Sequence, residues 1–164
     1  MTGRRVEFER VSVTSRKAFR DVVAAFEAAI GHPDIRAFVQ SVAAAGNFAE
    51  IERIAVQATG PSQLMEFMRL DLGEVLRKRH GPGARASLRF LVGNPVIMSQ
   101  MVEHVPDAAS YAPVTVLIDE RPDGVQLSYD RMESLLRPYA HPQASAVARN
   151  LDSKIVGILE QAAR

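Results

Sequence analysis

The chain has 164 residues, 47% of them apolar and 24% charged, which is ordinary globular composition and excludes wholesale disorder. Lys and Arg number 20 against 19 Asp and Glu, and a net charge of +1 removes the usual electrostatic argument for nucleic acid or an anionic membrane as partner. There is no cysteine, which excludes disulfides, thiolate catalysis and Cys-based zinc sites.

In chain order, Val6, Phe8, Val11 and Val13 alternate with polar residues and predict a strand over 6–13, with a bulge where the period slips at Glu9-Arg10. Ser15 is placed to cap a helix from Arg16, in which Phe19, Val22, Val23, Phe26 and Ile30 follow helical spacing and Gly31 closes the run. Pro33 suits the first turn of a second helix with Ile35, Phe38, Val39 and Val42 on one face. Asn47 can cap a third through Phe48, Ile51 and Ile54, although Ile54, Val56 and Ala58 also alternate as a strand would. Gly60-Pro61-Ser62 is a turn signal. Then follow a strand over 63–70, a short helix over 71–79, a loop at Gly81-Pro82-Gly83, a strand over 86–92, a break at Gly93-Asn94-Pro95 and a helix over 96–104. Strands over 113–120 and 125–130 flank Asp123-Gly124, a hairpin signal. A short turn or helix over 132–136 precedes an amphipathic helix over 144–163 carrying Val147, Leu151, Ile155, Ile158 and Leu159. The expected fold is α+β: one domain over 1–164, a two-layer sandwich of a mainly antiparallel sheet with helices packed on one face, and extra helices at 32–59 and 144–163.

The segments RFLVGNPVIMSQMVEH (Arg89 to His104) and YAPVTVLIDERPDGVQLSYD (Tyr111 to Asp130) place Asn-Pro at a helix start, then a Pro-led strand, an acidic turn and a closing aspartate. This order resembles the domain-of-unknown-function 302 family, and LMEFMRLDLGEVLRKR (Leu64 to Arg79) matches its strand-then-helix pattern. The resemblance covers residues 60–131. Val6 to Ile30 match in layout, and 32–59 and 140–164 read as additions to the short form. Many short members carry Cys just before Asn-Pro and just after the Pro of the next strand. Those positions are Gly93 and Val114 here, so a thiol-based role does not carry over. The resemblance implies a two-layer domain with helices on one face of an antiparallel sheet, and a dimer. It implies no established reaction.

The first candidate constellation is Asn94, His104, Tyr111, Tyr129 and Asp130. His104 with Asp130 or Tyr129 has the makings of a base with its orienter or proton donor, and Asn94, His104, Tyr111 and Tyr129 are candidate ligand contacts. No nucleophile elbow accompanies them. The alternative is that Asn94 and Asp130 are caps and that His104 sits at a helix C-terminus, where a cation is favoured. Met98, Met101 and His104 form a second group. Met101 and His104 are three residues apart and can be haem ligands, whereas Met at helical spacing is commonly core filling. The four histidines (His32, His80, His104 and His141) show no metal-ligand spacing, so no metal site is expected.

Third, Arg77, Lys78, Arg79, Arg85 and Arg89 fall in thirteen residues without an acid, whereas 103–133 holds seven acids against two Arg. The segments can complement each other across a dimer, or the basic one can be a solvated helix end. Fourth, the C-terminal stripe packs on its own sheet or crosses to a second subunit. The longest charge-free runs, Ala37–Ala49 and Phe90–Val102, are 13 residues each, short of the roughly 18 needed to span a bilayer. There is no secretory-signal pattern, so a cytoplasmic location is expected. The function expected is a homodimeric small-ligand-binding or interaction module that binds neither nucleic acid nor membrane. The alternatives are an enzyme with His104 as acid/base on a small organic substrate, and a haem protein using His104 or Met101.

Overall fold

Val114, Val116 and Ile118 alternate with Thr115, Leu117 and Asp119, and Val125, Leu127 and Tyr129 alternate with Gln126, Ser128 and Asp130. Each set puts its first-named residues on one face. In the computed structural model, which describes Gly3 and residues 5–164, these two runs form a hairpin through the turn at Arg121–Gly124. Numbered in chain order, the strands are β1 (Arg10–Ser15), β2 (Met65–Asp71), β3 (Ser87–Gly93), β4 (Val114–Arg121) and β5 (Gly124–Asp130). They make one antiparallel sheet in the order β1-β5-β4-β3-β2. The helices are α1 (Phe19–Glu27), α2 (Ile35–Ala44), α3 (Phe48–Ala58), α4 (Leu72–His80), α5 (Pro95–Val102), α6 (Met132–Leu136) and α7 (Pro142–Ala163), with 3-10 turns at Pro106–Ser110 and Arg137–Tyr139.

One face of the sheet carries the core. Phe90 and Val92 of β3, Val116 and Ile118 of β4, and Leu127 and Tyr129 of β5 are buried against α1, α5 and α7. Phe26 of α1 packs its ring on Phe90 at 5.0 Å between centroids. The apolar stripe of α7 (Leu151, Ile155, Ile158 and Leu159) is buried against its own chain's α1, α5, β1 and β5. The fold is thus a helix-packed antiparallel sandwich, as the sequence predicts. No helix among the described residues is long and apolar enough to cross a membrane.

Local differences have physical causes. The first strand starts at Arg10, because its partner β5 ends at the Arg10↔Asp130 pair. At Glu9 the ladder keeps one bond, Arg131 N–H to Glu9 O at 2.9 Å in the same register, while Glu9 N–H turns away to donate to Ser134 Oγ at 2.9 Å. The expected bulge at Glu9-Arg10 therefore does not form. Ser15 is the last residue of β1 and not a helix cap: its hydroxyl donates to Ala163 O at 2.7 Å and ties β1 to the end of α7. The α1 helix starts later, at Phe19, with no side-chain cap. Residues 48–58 resolve as helix, with Asn47 Oδ1 accepting from Glu50 N–H at 3.1 Å. Gly31 lies four residues beyond α1 and bridges to Met65. A Cβ there would meet Ala58 O at 2.0 Å, and one on Gly60 would meet Ile30 C at 2.4 Å. These two glycines let the ends of α1 and α3 pass at backbone contact.

Candidate ligand cleft

The turn at 60–62 delivers the chain to β2 through Gln63, whose φ of 64° lies in the left-handed region. A non-glycine residue held there stores strain of order 1–3 kcal/mol that its surroundings must offset. Those surroundings are specific. Ser62 Oγ donates to Ala29 O at 2.7 Å, and Asn94 Nδ2 donates to Gln63 O at 2.9 Å. Asn94 Oδ1 accepts from Val96 N–H at 2.8 Å, so one side chain both caps α5 and holds the strained turn. Lys154 of α7 then donates from Nζ to Gln63 Oε1 at 2.8 Å.

Gln63, Asn94 and Lys154 of this network line a cleft of about 730 Å³ between α3, α5 and α7. Glu52 and Val56 stand on one wall, Val147, Asn150 and Lys154 on the other, with Val96, Ile97 and Gln100 between them. Beside it, between α5 and the adjoining ends of β3 and β4, lies an apolar cavity of about 90 Å³ lined by Phe67, Met98, Met101 and Pro113, among others. Asn94, Ile97 and Leu151 line both spaces. A Cβ on Gly93 would sit 3.4 Å from Pro113 Cβ and 3.5 Å from Phe67 Cε2. Gly93 and Val114, where short members of the resembled family carry Cys, both line this cavity.

The other residues singled out in the sequence go elsewhere. Tyr129 is 1% exposed, and its hydroxyl donates to Asp152 Oδ1 at 2.6 Å. Asp152 also accepts from the N–H groups of Met132 (2.8 Å) and Glu133 (3.1 Å), which anchors the start of α6 to α7. Burial, reinforced by the Asp152 charge and hydrogen bond, pushes the Tyr129 phenol far above its usual range. Asp130, on the opposite face by strand alternation, makes a two-point pair with Arg10 at 2.6 and 2.8 Å. His104 follows the end of α5, and its ring stacks on His141 with centroids 4.6 Å apart. The two rings line a separate depression of about 390 Å³ with Asp107 and Tyr139, and Tyr111 Oη lies 3.2 Å from Tyr139 Oη. The Tyr139 phenol is pushed up to about 12 by its hydrogen bond with Tyr111, then by burial and by Asp107.

Among the described residues no hydrogen bond joins His104 to Asp130 or Tyr129: His104 stacks on His141, Tyr129 bonds Asp152 and Asp130 pairs with Arg10. Met101 is fully buried and lines the apolar cavity, so it shares no depression with His104. Among the described residues no group of three or more His, Asp or Glu is placed to hold a metal ion. Sequence reasoning missed Gln63, Lys154, His141 and Asp152. Only Asp152 left a signal: it is an acid inside the apolar stripe, four residues after Ala148 and three before Ile155.

Comparison with known proteins agrees with this architecture. The chain is similar in fold to an uncharacterized conserved DUF302 protein from Bacillus stearothermophilus, whose crystal structure superposes with a TM-score of 0.64 at 9% identity, over 94% of this chain and 98% of that one. No curated protein matches. The family profile described as domain of unknown function DUF302 matches residues 38–162, from within α2 almost to the end of α7. The chain belongs to that family.

Proposed function

We propose that the protein is a homodimeric binding module for a small ligand with an apolar part and a polar part, seated at the cleft around Asn94. The observation that carries this reading is that the two spaces lie side by side and share lining residues. A ligand-sized groove with polar groups on its walls adjoins an apolar cavity, and Asn94, Ile97 and Leu151 line both. The apolar part enters beside Met98 and Met101. The polar part remains in the groove, where Lys154 offers a cation and Asn150 and Gln100 offer amides. The strain at Gln63 supports the same place, since a backbone held in a costly conformation tends to accompany function.

The test is native mass spectrometry of the protein purified from its own host, compared with the denatured mass. Non-covalent extra mass on a two-chain species supports the reading. Binding of the fluorescent probe anilinonaphthalene sulfonate is measured in parallel on the wild type and on Ile97→Trp, which fills the junction of the two spaces. The expected result is probe binding by the wild type and at least about tenfold weaker binding by the variant, a loss of roughly 1.4 kcal/mol. Equal binding by both, with no retained mass, overturns the cleft assignment.

A further inference from the structure

Outside the ligand cleft, α4 presents an apolar face that its own chain covers only in part. Leu72, Val75 and Leu76 stand at i, i+3 and i+4 and form one exposed stripe, with Val75 66% exposed. Its buried residue is Gly73, where a Cβ would meet Ser87 N at 2.9 Å, so the helix packs on β3 along its Gly73 flank, and Val75, about 160° round the helix from Gly73, points away. The stripe follows directly from β2, an edge strand whose Met68 and Leu70 are also exposed. An exposed apolar edge strand running into a partly exposed apolar helix face is a surface built to be covered.

The charges on α4 indicate what covers it. Its first turn is acidic, with Asp71 and Glu74, and its last turn is basic, with Arg77, Lys78, Arg79 and His80. Arg77 and Lys78 reach back to Asp71 or Glu74, but Arg79 has no carboxylate partner among the described residues. A helix that is acidic at one end and basic at the other complements itself when two copies lie antiparallel, and their macrodipoles then also oppose favourably. A two-fold axis crossing the helix imposes that antiparallel arrangement. We propose that a second copy of this chain docks here, with the two α4 helices antiparallel and Val75 next to the axis. A nine-residue helix is only about 13 Å long and is too small alone for the about 800 Å² per partner of a standard interface. The exposed Met68 and Leu70 of β2 extend the contact.

The proposal locates the interface of the homodimer in the proposed function and is independent of where the ligand sits. The absence of native cysteine makes the test direct, because Val75→Cys introduces a single thiol. Oxidation of Val75→Cys is expected to give a two-chain covalent species, and Val39→Cys, on the exposed part of α2, is expected to give none. Sedimentation of the wild type at micromolar concentration should show two chains, and Val75→Glu should raise the dimer dissociation constant at least tenfold while leaving the circular dichroism of the fold unchanged. If Val75→Glu remains as tightly dimeric as the wild type, or if Val39→Cys cross-links in place of Val75→Cys, the α4 interface is overturned while the homodimer stands. A wild type that sediments as one chain at all concentrations overturns both. Retention of the anilinonaphthalene sulfonate signal by Val75→Glu separates this interface from the ligand cleft.

Discussion

Asp152 is a carboxylate, 2% exposed, that satisfies a phenol and two backbone N–H groups at once. Its removal takes the acceptor from the buried Tyr129 hydroxyl and from the part-buried Glu133 N–H, and leaves Met132 N–H only its longer 3.3 Å bond to Tyr129 Oη; each unsatisfied buried group costs about 1–3 kcal/mol before relaxation or water entry. Asp152→Ala is therefore expected to destabilise the fold by about 2–4 kcal/mol in urea denaturation, and Tyr129→Phe, which removes one partner, by about 1 kcal/mol. The tyrosines also set a pH dependence. Tyr139 is raised to about 12 in the fold and Tyr129 further, whereas an unfolded tyrosine ionises near about 10. A group raised on folding contributes stability that is complete below the unfolded value and is lost as pH climbs through the folded one. Stability is thus expected to be flat with respect to these groups below about pH 10 and to fall between about 10 and 12. Urea midpoints across that range check this. Tyr139→Phe is expected to flatten part of the fall, and an unchanged slope would remove Tyr139 as its source.

At the scale of elements, the passage of α1 over the end of α3 depends on two missing side chains. A Cβ at Gly31 overlaps Ala58 O, which is backbone and cannot rotate away. Gly31→Ala is expected to lower stability by at least about 1–3 kcal/mol, the usual cost of overpacking, and to disturb α3 before the sheet. Hydrogen exchange localised to 48–60 would show this. The joint between β3 and α5 depends likewise on Asn94. Asn94→Ala removes a cap and frees Gln63 O, and a loss of about 0.5–2 kcal/mol is expected from the cap alone. Asn94→Asp keeps the cap acceptor but cannot donate to Gln63 O. A thermal shift from Asn94→Asp comparable to that from Asn94→Ala would show that the tie to Gln63 matters more than the cap.

At the scale of the whole molecule, one sheet face is covered by helices from both ends of the chain, and the site lies where those helices diverge. The cleft draws its walls from α3, α5 and α7, about a hundred residues of sequence, and no local pattern encodes that meeting. Occupancy is expected to raise the melting temperature, because a ligand that binds only the folded state shifts unfolding by mass action. Ile97→Trp is expected to abolish most of that rise for any ligand that enters the apolar cavity, and a rise of equal size in the variant would place the ligand elsewhere.

The sequence by itself determined the order of the elements from α1 to α7 and the β4–β5 hairpin, but left 54–58 open between helix and strand, 132–136 between turn and helix, and Asn94 between cap and ligand contact. It also carried the family, because periodicity, turn residues and caps are local and act within a few residues. Among the local readings that failed, the first strand and the Ser15 cap did so where a distant partner decided the outcome, β5 for Arg10 and α7 for Ser15, while α1 ends before Gly31 and α2 begins after Pro33. The candidate site was legible in part. Asn94 lies on the cleft, whereas Tyr129, Asp130 and His104 engage partners elsewhere. Only the tertiary structure could pair Tyr129 with Asp152, stack His104 on His141, aim Lys154 at Gln63 and leave the apolar face of α4 partly exposed. An apolar stripe specifies that a face must be buried, but the choice of what buries it depends on contacts between residues far apart in the chain.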